Sequence, residues 1–136
     1  TLVPYSFDPD RAKLMLAEEG WCDSVGDGLL YKEINGKMVP FSFTLSYFVK
    51  NAIAKVNCEQ IAQCLKDIGV ECRLNGLDLA DLSSAFEEKT FDALYLAWSL
   101  AAPPEDPRQL WHSEGAIVKG SSNMIGFQNV LVDRYI

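Results

Sequence analysis

Asp23-Ser24-Val25-Gly26-Asp27-Gly28 is the stretch whose residue types come nearest to metal chemistry, with two carboxylates in a glycine-bearing turn. A helix–loop–helix calcium site that began at Asp23 would need an oxygen ligand at its third position and glutamate at its twelfth. Val25 and Ile34 stand there, so the stretch reads as an acidic turn and no metal is expected. His112 is the single histidine, and Trp111-His112-Ser113 reads as a packed helix end rather than a base beside a nucleophile. Gly-x-Ser-x-Gly and His-Glu-x-x-His do not occur, nor does either glycine-rich phosphate loop. Glu18-Glu19 and Glu87-Glu88 lie in polar, helix-like surroundings and read as solvated faces. No catalytic residue and no cofactor is expected.

Cys22, Cys58, Cys64 and Cys72 contain no Cys-x-x-Cys pair and lie far along the chain from His112, which argues against zinc. Small buried thiols are the first reading. A disulfide is the rival in an oxidising compartment, with Cys64 and Cys72, which flank a helix-to-strand turn, as the best-placed pair.

What remains is an aromatic edge. Phe91-Asp92-Ala93-Leu94-Tyr95-Leu96-Ala97-Trp98 reads as a strand with apolar side chains on both faces, running into the loop Ala102-Pro103-Pro104-Glu105-Asp106-Pro107. Strands of that kind are covered on both sides in parallel sheets. Ligands of such sheets collect outside the carboxyl ends of the strands, which puts Trp98, Ser99, Leu100 and Ala101 at a binding edge. Trp98 buried as ordinary core is the competing reading.

The elements that must position this edge are legible in turn. Asp8-Pro9 opens a helix with Ala12, Met15 and Leu16 on one stripe; Gly20 stops it, and Trp21 is expected to pack back on it. Asn35-Gly36 marks a hairpin. Phe41, Phe43, Leu45, Tyr47 and Val49 alternate with polar residues as a strand. Ile61, Cys64, Leu65 and Ile68 give a helix face, ended by Gly69; Val70, Cys72 and Leu74 alternate in a second strand. Asp78 caps a helix with Leu79, Leu82 and Phe86 on one face, and the strand over residues 91–98 follows. Strand, helix, strand, helix, strand predicts an α/β fold, a mainly parallel sheet flanked by helices through right-handed crossovers.

The chain has 136 residues, 49% hydrophobic and 23% charged, with a net charge of −7. One globular domain fits that size. The negative charge disfavours nucleic acid and anionic membranes as partners. The longest nearly apolar run, residues 93–102, is too short to span a bilayer. Thr1 is not a natural start, and Asn129 reads as a helix N-cap close to the last residue, Ile136, so the expectation is an excised piece of a larger protein.

Taken as an ordered set, Asp8-Pro9 with Ala12, Gly20-Trp21, Gly26-Asp27-Gly28, Asn35-Gly36-Lys37 and Phe43-Thr44-Leu45 resemble the extracytoplasmic solute-binding proteins of peptide and nickel ABC importers, solute-binding family 5. The resemblance continues through Ile61-Ala62-Gln63, Leu65-Lys66, Ile68-Gly69-Val70, Phe91-Asp92, Trp98 and Asp106-Pro107 to Ser122-Asn123, Gly126-Phe127, Asn129 and Asp133. It implies part of the C-terminal lobe of a type II periplasmic-binding-protein fold, spanning residues 1–136. The implied function is non-enzymatic: capture of a small solute, a peptide or peptide-like molecule, between two lobes outside the cytoplasm, and delivery to an inner-membrane ABC permease. The chain itself is not expected to enter the membrane. Trp98, Ser99, Leu100 and Ala101 carry over as cleft residues, with Phe86 and Leu79 as further lining. Peptide receptors of this class often have Asp where Ala101 stands and Arg where Phe86 stands, so an apolar or differently charged solute, or a peptide held mostly by its backbone, is expected. The alternative is the ligand-sensing domain of a cytoplasmic transcriptional regulator with the same fold.

Overall fold

A computed structural model of the chain describes residues 3–97 and 106–136. Helix α1 (Pro9–Glu18) starts as its sequence dictates, the Asp8 carboxylate accepting the Arg11 amide at 2.9 Å. It ends in a Schellman motif: the Trp21 and Gly20 amides donate to Leu16 and Ala17, and Gly20 takes the left-handed φ of +84°. The expected stripe is only partly realised. Ala12 and Leu16 are half-buried while Met15 is 56% exposed, and α1 buries no residue fully. The Trp21 ring stacks on Phe41 with centroids 4.5 Å apart, and the Lys32 ammonium lies over it.

Strands β1 (Tyr31–Ile34) and β2 (Lys37–Pro40) form the expected hairpin. Asn35 and Gly36 both have positive φ, the pair of conformations a two-residue hairpin turn requires.

Strand β3 (Ser42–Phe48) is the centre of a three-stranded parallel sheet in the order β4-β3-β5, with β4 spanning Glu71–Leu77 and β5 spanning Ala93–Tyr95. Its alternating Phe43, Leu45 and Tyr47 face helix α2 (Ala52–Lys66), where Leu45, Tyr47, Ala54 and Cys58 make the core, joined by Cys72, Ala93 and Tyr95. The opposite face is covered too: Ser46 is buried and accepts from Asn75 Nδ2 at 3.3 Å. Burial on both sides is the lot of a central parallel strand.

Helix α2 is capped by Asn51, which accepts the Ala54 amide at 3.0 Å. Its buried contacts are Ala54 and Cys58, whereas Ile61 of the expected face is 39% exposed. Small side chains let the helix backbone approach the sheet, so the contact stripe runs through them rather than through the bulkier residues a turn later. On β4 the alternation fades from buried Val70 to Leu74, 37% exposed, because no described strand pairs beyond it.

Helix α3 (Leu79–Glu88) starts at Asp78, whose carboxylate accepts the Asp81 amide, and buries Leu82. It packs against β3 and β4; in the order β4-β3-β5, the right-handed rule for parallel crossovers assigns α2 and α3 to opposite faces.

The strand expected over residues 91–98 is much shorter. β5 pairs with β3 over three residues, all half-covered, and Leu96 and Ala97 are exposed. Its start is set by a side chain: Asp92 Oδ2 accepts the Thr44 amide at 2.8 Å, occupying the donor one residue before the ladder begins.

Beyond the binding-edge segment, α4 (Arg108–Trp111) and two 3₁₀ turns, Ser113–Ile117 and Val132–Arg134, complete the chain. Asn129 does cap a turn, accepting the Leu131 and Val132 amides, but that turn is the short 3₁₀ element. Lys89, left-handed at the end of α3, donates from Nζ to the carbonyls of Gly115, Ala116 and Asn123 and ties this region to the sheet layer.

Candidate functional site

The strand order creates a switch point. From β3 the chain departs to β4 on one side through α2, and β5 arrives on the other side through α3. The carboxyl ends of the three strands therefore form one rim, made of residues 49–51, 78–79 and 96–97. This is where open parallel sheets hold ligands.

Both helices begin at this rim, so Asn51 and Asp78 spend their side-chain oxygens on helix amides there. Strand β4 comes close to its neighbours at Gly76, where a Cβ would meet the Val49 side chain at 3.0 Å and the Tyr47 hydroxyl at 3.3 Å. Tyr95 pairs with Tyr47 in register, and its hydroxyl accepts from Asn57 Nδ2 at 2.7 Å, locking the last residue of β5 to α2. The chain then runs from Ala97 into the segment that carries Trp98.

Of the residues expected to line a cleft, Trp98, Ser99, Leu100 and Ala101 lie outside the described residues. Leu79 is the first residue of α3, at the rim and 68% exposed. Phe86 is half-buried two turns along the same helix, about 10 Å further from the rim at 1.5 Å per residue. The structure thus does not bring Phe86 to the same edge as Leu79.

The acidic turn is closed on itself. Asp23 accepts the Gly26 and Gly28 amides at 2.6 and 3.0 Å, and Asp27 accepts the Leu29 amide and the Tyr31 hydroxyl. The Gly26 and Gly28 amides hold the Asp23 carboxyl below its ordinary range, and the bond to Asp27 raises the Tyr31 phenol. No cluster of three metal-ligating side chains occurs among the described residues.

His112 follows α4, its ring mostly covered, as expected of a helix end. Its Nδ1 accepts the Glu114 amide at 3.2 Å, so the lone pair a base would use is occupied. Ser113 is engaged as well: its hydroxyl accepts the Asn129 amide and its own amide donates to Asp133. The hydrogen bonds from Ser113 lower the Asp133 carboxyl, with His112 and Arg108 adding to the effect.

Two open cavities lined by described residues lie away from the rim. One of about 400 Å³ lies between α2 and the edge of β4, lined by Ala62, Gln63, Lys66, Val70 and Cys72. Another of about 450 Å³ is lined by Arg108, His112 and residues up to Ser122. Strand order and chain path, rather than cavity size, single out the rim.

Sequence reading missed three positioning groups: Asp92, Lys89 and Asn123. Asp92 lies in the Phe-Asp pair, but its partner Thr44 is 48 positions away, so no local pattern shows the bond. Lys89 is flagged only by its place after a helix end, and Asn123 carries no signal beyond being an asparagine next to serine.

Comparison with known proteins agrees with this geometry. Residues 2–117 match the family model described as bacterial extracellular solute-binding proteins, family 5, middle. The oligopeptide-binding protein AppA of Bacillus subtilis is 32% identical over 132 residues, which is 96% of this chain and 23% of AppA. The structure of AppA in complex with a nonapeptide superposes with a TM-score of 0.85 at 32% identity, over 98% of this chain and 26% of that one. An oligopeptide-binding protein of Thermus thermophilus with a pentapeptide gives a TM-score of 0.82 at 23% identity, over 98% and 25% of the two chains, a likeness of fold. NikA of Brucella suis with Fe(III)-EDTA gives 0.65 at 26% identity, over 76% and 20%. The chain belongs to the family 5 extracellular solute-binding proteins. It spans about a quarter of the length of these relatives, and its α/β sheet matches their lobe fold.

Proposed function

We propose that this chain is part of the C-terminal lobe of the solute-binding component of an ABC importer. The intact protein captures a peptide or peptide-like solute between two lobes outside the cytoplasm and delivers it to the inner-membrane permease. It performs no chemistry on the solute. The observation that carries this reading is the β4-β3-β5 switch point, whose rim leads directly into the Trp98 segment.

The physical case is one of contact area. Tryptophan offers a large rigid face and one polar tip, suited to holding a solute that must later be released. In this reading Trp98, Ser99, Leu100 and Ala101 line the cleft with Leu79 nearby, and Phe86 stands farther off. Closure of the second lobe excludes water from the solute and adds the remaining contacts, so one lobe alone binds weakly. Ala101 and Phe86, where related peptide receptors often carry charges, leave a peptide's termini without their usual partners on this lobe. Recognition then falls to backbone hydrogen bonds and apolar side chains. Relatives at 30% identity or more that support a peptide solute include AppA, whose structure holds a nonapeptide.

The test is calorimetric titration of the intact polypeptide that carries this chain, against peptides of graded length and side-chain polarity. Saturable binding of apolar peptides, with a negative heat-capacity change, is expected. Absence of saturable binding to every peptide tried would remove the reading.

A further inference from the structure

Among the four cysteines, Cys58 and Cys72 are the two that meet at the core cluster. Cys58, on α2, is fully buried in the core, and Cys72, on β4, packs against that same cluster from the sheet side. Cys64 lies elsewhere, lining a groove with Phe7, Pro9 and Ala12 beside α1. Cys58 and Cys72 feel each other electrostatically, the presence of Cys72 adding to the burial that already raises the Cys58 thiol. Cys72 has a second property that Cys58 lacks: it lines the open cavity of about 400 Å³ between α2 and the β4 edge. Cys72 thus borders open space, whereas Cys58 is fully buried.

We propose that Cys58 and Cys72 are a disulfide-forming pair that staples α2 to the edge strand β4 when the chain is in an oxidising compartment. In the first step the Cys72 thiolate attacks a small disulfide, such as oxidised glutathione or the disulfide of a thiol oxidoreductase. A mixed disulfide forms and one donor thiolate leaves. The Cys58 thiolate then attacks the Cys72 sulfur, forms the internal bond and expels the second donor thiolate. The two cysteines lose two protons and two electrons, and the donor disulfide becomes two thiols. Burial raises both thiols, so the thiolate fraction is small at neutral pH and the closure is slow, accelerating as pH rises. All four cysteines are thiols in the structure, which is the starting state of this reaction.

The inference concerns the sheet rather than the solute rim, and it stands or falls independently of the proposed function. The test treats the intact polypeptide with oxidised glutathione at pH 8.5, blocks free thiols with an alkylating reagent, and digests without reductant. Trypsin with a glutamate-specific protease cuts after Glu59, Lys66, Glu71 and Arg73, which separates the three thiols of this region. The expected product links the peptide of Cys58 to that of Cys72, and the melting temperature rises by roughly 3 °C over the reduced form. Cys58→Ser removes the link and leaves Cys72 as a glutathione adduct, while Cys64→Ser changes neither. Recovery of Cys58 and Cys72 both alkylated after prolonged oxidation, or a link from Cys72 to Cys64, would overturn the proposal.

Discussion

Replacing Gly69 by alanine tests how the hairpin is seated on the sheet layer. Gly69 has φ of +85°, and a Cβ built there falls 2.8 Å from Leu30 Cγ and 3.3 Å from the Gly28 carbonyl oxygen. Holding an L-residue in the left-handed region costs about 1–2 kcal/mol. The approach to Leu30 lies well inside the ordinary contact distance of about 3.5–4.0 Å. Forcing a methyl into such a contact typically costs about 1–3 kcal/mol more. The Leu30 amide also donates to the Gly69 carbonyl at 2.8 Å, so relief by moving the hairpin stretches a hydrogen bond. Gly69→Ala should therefore destabilise by roughly 3 kcal/mol, a large share of a typical 5–15 kcal/mol stability. Leu30→Ala separates the two costs, because it removes the clash and leaves the backbone strain. In that background Gly69→Ala should cost only about 1–2 kcal/mol, a coupling of about 1–2 kcal/mol. Urea unfolding followed by tryptophan fluorescence reads both, since Trp21 lines the same depression as Leu30 and Gly69. An equal cost in the two backgrounds, or one below about 0.5 kcal/mol in the parent, would refute the packing argument.

Two further predictions concern the C-terminal third. Asn123 is 1% exposed; its Nδ2 donates to the His112 and Phe127 carbonyls and its Oδ1 accepts the Phe127 amide. Asn123→Ala strands three backbone groups and should cost about 3 kcal/mol, seen as a lower urea midpoint and faster amide exchange at Phe127. Asp133 is held below its ordinary range by Ser113, so its folded-state value is lower than its unfolded one. Its contribution is present above the ordinary carboxylate value, near 4, and is lost as pH falls below that through the folded value. Acid titration followed by circular dichroism should show a shallower loss of structure for Asp133→Asn than for the parent in that window.

The parts of the fold that were legible in the sequence are those determined by local chemistry. Asn35-Gly36 announces a hairpin because both residues tolerate positive φ, and Asp8 and Asp78 sit where a short side chain can accept a helix amide. The alternation through Phe43, Leu45 and Tyr47 identifies the central strand because one face must meet α2. What escaped depends on distant partners. An apolar run over residues 91–98 cannot show that its ladder spans only Ala93–Tyr95, since its start is set by Asp92 meeting Thr44, 48 positions away. The contact face of α2 was read one turn late because Ala54 and Cys58 are weak signals of hydrophobicity yet make the closest contact with the sheet. The same displacement hid that Cys58 and Cys72 meet at one core cluster. At the rim, Leu79 could be placed from its cap, whereas Phe86 shares its stripe but not its location.

A common thread links the acidic turn, the His112 region and the rim. The polar groups named there are committed to the fold. Asp23 and Asp27 hold their own loop, His112 Nδ1 and Asp133 order the segment after α4, and Lys89 spends its ammonium on three carbonyls. Asn51 and Asp78, polar side chains beyond the carboxyl ends of β3 and β4, are helix caps. Redirecting any of them toward a ligand would leave a backbone amide or carbonyl without a partner, at about 1–3 kcal/mol each where it is buried. In the proposed reading, a solute at this rim is therefore cheapest to hold by apolar contact rather than by these polar side chains. Receptors that must release what they bind gain from such contacts, because opening the lobes returns them to water without breaking an ion pair.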